Sequence, residues 1–239
     1  MSVATHPPRT ARLRRLALVG GIAAAAVVAA VVISSSGGST PAPAPTPAAA
    51  AAGDAPTNAL FTGMTERDGV LGDPGAPVTV TEFVDLQCPV CAEAARTTLP
   101  TLLRDDVRTG DVKLEARTLH FIGPDSVAAA RAAAGAEAQG KLWPFLAAFY
   151  ADQGQENSGY ATDDFLRGVA ASAGVDADEA LAHAQTDAAA DRLNQANAEA
   201  QTRGIASTPS FVVEGPDGRA KVVVGHDDAA LAAAIKAVK

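Results

Sequence analysis

The only two cysteines of this 239-residue chain stand three apart, in Cys88-Pro89-Val90-Cys91, where a β-branched run gives way to helical spacing. That junction constrains the fold more than any other feature, because it asks for two sulfurs one turn apart at a helix start fed directly by a strand. Val78–Asp85 (VTVTEFVD) follows the turn residues Gly72-Asp73-Pro74-Gly75 and reads as a buried strand. Residues 90–108 carry helical spacing, with Pro100 as an expected kink and Gly110 as the stop. Val112–Leu119 (VKLEARTL) alternates apolar and polar residues as a second strand, and a right-handed crossover makes the two strands a parallel pair.

Residues 126–203 read as almost purely helical. One helix is expected over 126–140, and a second carries Leu142, Trp143, Phe145, Leu146, Phe149 and Tyr150 as core residues. A third runs over 162–173 to a stop at Gly174, and a fourth from Asp176, with Glu179 three residues on, to Gly204. Strand character returns at 210–213, turns through Gly215-Pro216-Asp217-Gly218 and resumes at Ala220–Val224. Asp227 or Asp228 caps a last helix over 229–238. The expected architecture is an α/β sandwich with helices inserted into its middle.

The chemistry concentrates at the cysteine pair. With Cys88 at the helix N-cap, free N–H groups and the positive dipole end stabilise a thiolate there. Pro89 at the first helical position gives up no needed hydrogen bond. Cys91, one turn deeper, is the more shielded sulfur and suits attack on a mixed disulfide formed by Cys88. As a structural staple, a four-residue loop gains only about 2 kcal/mol of chain entropy. A metal site is not expected, because His120, His183 and His226 offer neither a second C-x-x-C nor H-x3–5-H spacing. Glu82 lies six residues before Cys88 inside the apolar strand. Two readings stand equal for it: a buried carboxyl with a raised pKa that exchanges a proton with Cys91, or a strand residue turned to solvent. Asp85 reads as a strand-end or turn residue. For Thr208-Pro209 the residues alone do not argue for a cis bond.

Residues 16–33 (LALVGGIAAAAVVAAVVI) form an uncharged run that spans about 27 Å as a helix, close to one bilayer core. Arg9, Arg12, Arg14 and Arg15 precede it and no Lys or Arg follows until Arg67, which keeps a basic tail, 1–15, in the cytosol and exports the rest. The expectation is a single-pass cell-membrane anchor with an extracytoplasmic body. A cleaved signal peptide is the competing reading, since A-x-A sites lie around Ala48 and Ala52. Residues 34–60, rich in Pro and Ala, read as a disordered tether. From residue 61 onward 15 basic residues face 26 acidic ones, which excludes a nucleic-acid partner.

Three stretches together carry a resemblance: Glu82-Phe83-Val84-Asp85-Leu86-Gln87-Cys88-Pro89-Val90-Cys91, Ala138-Gln139-Gly140-Lys141-Leu142-Trp143, and Thr208-Pro209-Ser210-Phe211. Over residues 73–239 the chain resembles the DsbA-like thiol-disulfide oxidoreductases of the thioredoxin superfamily, in their membrane-anchored bacterial form. The resemblance implies a thioredoxin fold over 61–239 with a helical subdomain inserted at about 126–203. It implies Cys88 as nucleophile, Cys91 as resolving thiol and Glu82 as the buried carboxylate. Pro209 becomes a cis-proline facing the disulfide, with Thr208, Pro89 and Val90 beside it at the substrate. Val90 stands where the best-known oxidases of this family carry His, so a milder oxidant is implied. The implied partners are exported unfolded proteins and a quinone-linked membrane reoxidant of the DsbB or vitamin-K-epoxide-reductase type. No cofactor is expected beyond the Cys88–Cys91 disulfide, and a monomer is expected. A disulfide reductase or isomerase, and a tethered chaperone-like module with an inert bridge, are the alternatives.

Overall fold

Every apolar position of the strand that leads to the cysteines is buried, on both of its faces, and this places the strand at the centre of a sheet. The computed structural model describes residues 59–239. The expected basic tail, the anchor and nearly all of the tether lie outside them. In chain order the elements are β1 (Glu66–Arg67), β2 (Val70–Leu71), β3 (Val78–Asp85), α1 (Pro89–Leu102), β4 (Val112–Leu119) and α2 (Pro124–Ala138). There follow α3 (Leu142–Ala151), α4 (Asp163–Ser172), α5 (Ala177–Ala184), α6 (Asp187–Thr202), β5 (Ser210–Glu214), β6 (Ala220–Val224) and α7 (Asp228–Val238). No helix among the described residues is long and apolar enough to cross a membrane.

The sheet order is β1-β2-β4-β3-β5-β6. β3 runs parallel to β4, from Val78 opposite Val112 to Asp85 opposite Leu119, and antiparallel to β5, with Glu82 opposite Phe211. Val78, Val80 and Val84 pack on one side of β3 in a core with Leu99, Leu102, Trp143, Phe145 and Phe149. Phe83 packs on the other side with Leu119, Val212 and the α6 residues Ala196 and Ala200. Two covered faces explain why β3 shows no clean apolar-polar alternation, whereas β4 does.

Pro100 lies inside α1, and the helix continues past it into a π-helical turn, Leu103–Val107, in which the Arg108 N–H reaches back to the Leu103 carbonyl at 3.0 Å. The turn keeps Leu102, Leu103 and Val107 all in the core. The long helix expected from Asp176 to Gly204 is two helices. The chain breaks at Gln185 and Thr186, where the Thr186 hydroxyl accepts from the Ala189 N–H at 3.3 Å and starts α6. His183 therefore sits in the last turn of α5, not in mid-helix. The β1–β2 hairpin was not expected. Its signal is Asp68-Gly69, both at positive φ, but the two-residue strands are too short to show a period.

This hairpin fastens the helical insert to the sheet. No side chain of its own segment caps α3, and Glu66 of β1 takes that place by accepting from the Leu142 N–H at 2.6 Å and the Trp143 N–H at 3.1 Å. The Trp143 indole donates to the Gly69 carbonyl at 3.3 Å. Burial pushes the Glu66 carboxyl up from 4.5 to about 7, against the pull of the two amides. Replacing Glu66 by Ala is expected to cost about 1–2 kcal/mol in urea unfolding at pH 5. The folded pKa lies above the unfolded one, so the side chain's contribution is fully present below 4.5 and is lost as the pH rises through about 7. The deficit of the variant should shrink across that window, and a deficit that grows with pH contradicts the assignment.

Candidate active site

β3 ends in Asp85, a carboxylate with no solvent exposure at the centre of a buried polar knot. Asp85 accepts from the Gln87 N–H at 2.9 Å, the Ser126 hydroxyl at 2.7 Å and the Ile122 N–H at 3.1 Å. The backbone turns at once, with the Cys88 N–H donating to the Asp85 carbonyl at 2.9 Å. Cys88 is then the N-cap of α1 in extended conformation, Pro89 is the first helical residue, and no acidic residue lies in the first turn. The positive end of the helix is left to the sulfur.

Both cysteines are free thiols, and they differ in surroundings. Cys88 is 7% exposed and Cys91 not at all. The Cys88 thiol is pulled down from 9.0 to about 6. A hydrogen bond from the Cys91 thiol contributes most, burial opposes it, and contacts with the Thr208 side chain and the N–H groups of Cys91 and Val90 add to the pull. Cys91 is pushed far upward by burial first, and then by the Cys88 sulfur beside it. At neutral pH the thiolate therefore falls on Cys88, and Cys91 stays protonated.

The other expected residues gather here. Thr208 meets Cys88 through its backbone, with the Cys88 sulfur 3.5 Å from the Thr208 carbonyl oxygen. The Thr208–Pro209 bond is cis, as the resemblance implies and the residues alone did not argue. Pro89 and Val90 are exposed, Val90 at 43%. Phe121, in the loop after β4 at the same end of the sheet, is 51% exposed.

Of the two readings of Glu82, the solvent-facing one is overturned. The side chain is buried, on the β3 face of Val80 and Val84, whose cluster includes Cys91. Burial pushes its carboxyl up from 4.5 to about 7, and no group among the described residues hydrogen-bonds it.

Sequence reasoning missed the residues that hold this turn. Asp85 is the buried centre of the knot, which is more than a strand-end role. The Tyr150 hydroxyl donates to the Asp85 carbonyl at 3.3 Å. Burial, followed by the charges of Cys91, Glu82, Asp85 and Cys88, keeps that phenol far from ionising. The Gln87 side chain donates to Ser126 at 2.9 Å and accepts from the Asn157 N–H at 2.6 Å. The available signal was the pair of polar residues, Asp85 and Gln87, closing an apolar run ahead of Cys88.

Comparison with known proteins agrees with this geometry. Residues 64–236 match the family described as thioredoxin. A probable disulfide bond formation protein D of Bacillus cereus is 33% identical over 114 residues, covering 47% of this chain and 52% of that protein. A Na(+)/H(+) antiporter NhaA of Herminiimonas arsenicoxydans is 33% identical over 156 residues, 63% of this chain but 23% of the antiporter. The chain thus spans about half or less of these curated relatives. The crystal structure of oxidised BdbD from Bacillus subtilis, 25% identical, superposes with a TM-score of 0.63 over 71% of this chain and 91% of BdbD.

Proposed function

The chain belongs to the thioredoxin family, and from that premise we propose that it is a thiol-disulfide oxidoreductase whose Cys88–Cys91 disulfide is donated to unfolded proteins outside the cytoplasm. The observation that carries the reading is the inequality of the two sulfurs. A thiolate favoured at Cys88 stabilises the reduced protein, and a protein whose reduced form is stabilised gives its disulfide away. Likeness to a disulfide bond formation protein and to BdbD supports the same class of chemistry.

The steps follow from the placement of the sulfurs. A substrate thiolate attacks the Cys88 sulfur of the bridged form, the Cys88–Cys91 bond breaks, and Cys91 leaves with the electron pair. Cys91 is too buried to hold the charge, and Glu82 supplies a proton from the same core. A second substrate thiolate then attacks the substrate sulfur of the mixed disulfide, and Cys88 departs as a thiolate. Two substrate thiols have become a disulfide, and the protein holds the two electrons. Pro89 and Val90 offer exposed surface to the substrate, while the Thr208 backbone beside Pro209 offers a strand-like partner that reads extended chain rather than sequence.

Reoxidation needs a two-electron acceptor, and a quinone-linked membrane protein of the DsbB or vitamin-K-epoxide-reductase type fits an anchored monomer. The apolar residues 16–33 behind four arginines support that location. Val90 adds neither charge nor a hydrogen bond to the thiolate, which favours a milder oxidant.

The oxidised chain should convert a reduced, unfolded substrate stoichiometrically, and Cys88→Ser should abolish the reaction. Activity surviving that substitution, or a reduction potential near the thioredoxin value of about −270 mV, contradicts an oxidase. Glu82 can donate a proton only below its titration near 7. Glu82→Gln should therefore slow mixed-disulfide formation about tenfold or more at pH 6 and little at pH 8.5. Equal rates at pH 6 remove Glu82 from the mechanism.

A further inference from the structure

The segment that leaves α3 reaches back across the molecule to the turn before Cys88. We infer that Gln153 in this segment is a positioning residue for the reactive sulfur: by donating to the carbonyls of Leu86 and Cys88, its side-chain amide fixes the turn from which Cys88 meets the N-terminus of α1. The assignment rests on the reading of Cys88 as the exchanging thiol.

The geometry uses both hydrogens of one nitrogen. Gln153 Nε2 lies 2.7 Å from the Leu86 oxygen and 3.2 Å from the Cys88 oxygen. Leu86 is fully buried, so its carbonyl needs a protein partner. The Cys88 carbonyl already accepts the first α1 hydrogen bond, from the Ala92 N–H at 3.2 Å, and Gln153 takes its second lone pair. Held by both donors, the Cys88 peptide is fixed at the start of α1. The N–H groups of Val90 and Cys91 then keep their aim at the Cys88 sulfur.

The segment holding Gln153 is itself fixed. Gly154 lies under the Tyr160 ring, where an added Cβ would come 2.5 Å from the ring carbon Cγ. Asn157, in the left-handed region at φ 54°, gives its N–H to the Gln87 side chain and its amide to the Ile122 carbonyl at 3.2 Å. The helical insert is thereby part of the machinery that presents the thiol.

The test titrates the thiolate absorbance of the reduced full chain, which holds no other cysteines. Gln153→Leu keeps the bulk and removes both donors. Gln153→Glu keeps the shape and sets a carboxylate against the two carbonyls. The control is Gln155→Leu, at an exposed position two residues on. The thiolate-to-thiol ratio at pH 6 should fall threefold or more in Gln153→Leu and further in Gln153→Glu, with Gln155→Leu unchanged. The equilibrium with glutathione should shift toward the disulfide in the same order. Should Gln153→Leu fail to fold, Gln153→Glu decides alone. A wild-type midpoint about 6 with unshifted Gln153 variants overturns the role of Gln153 alone. A wild-type midpoint near the ordinary thiol value overturns the reading of the dithiol and Gln153 with it.

Discussion

Asp85 ends the central strand by accepting three hydrogen bonds inside the core, from Gln87, Ser126 and Ile122. A buried carboxylate is tolerated only when its lone pairs are filled, so these three donors are fixed relative to one another. The Cys88 N–H follows on the Asp85 carbonyl, and the helix begins on the next residue. Strand end, polar knot and helix start thus form one rigid corner. The reactivity of Cys88 is a property of that corner more than of the four-residue motif, since the same motif in a flexible loop would meet no helix N-terminus and no Thr208.

Around this corner the core stores an unfavourable group. Glu82 is buried and finds no hydrogen-bond partner among the described residues. Such a residue lowers stability as the pH rises from 4.5 through about 7, because across that window the folded protein holds a proton that the unfolded chain has released. An apolar residue at that point of β3 would pack better. A carboxyl kept there at a cost in stability, in the core that holds Cys91, suits proton transfer. Three elements far apart in sequence converge on the dithiol: β3 with Glu82 and Asp85, the segment after α3 with Gln153 and Asn157, and the cis bond before β5.

Much of the architecture was legible in the residues. β3, β4, β6 and the parallel pairing follow from β-branched runs bounded by turn residues, and the α7 cap from Asp227, whose side chain accepts from the Ala230 N–H at 2.9 Å. The break between α5 and α6 was not legible, because Ala-rich helical spacing continues through Gln185 and only Thr186 signals a cap. The orientation of Glu82 was undecidable, since a strand covered on both faces loses the alternation that would tell in from out. Gln153 and Asn157 read as ordinary loop polars about seventy positions from their partners Cys88 and Gln87, and only three-dimensional contact gives them a role.

The central claim is that the folded protein stabilises the Cys88 thiolate, and one comparison tests it most directly: the denaturant stability of the reduced and the oxidised chain at a series of pH values. The folded Cys88 titration lies below that of the unfolded thiol, so the stabilisation is present at high pH and is lost as the pH falls through about 6. The oxidised chain lacks both thiol titrations; Cys91, held protonated in the fold, opposes Cys88 only as the pH approaches the unfolded thiol value of 9.0, and the remaining groups titrate in both forms. The reduced form should therefore gain on the oxidised form from pH 6 to pH 8, with the gain levelling off toward pH 9. A difference between the two that stays flat from pH 6 to pH 8, or that falls there, contradicts the account.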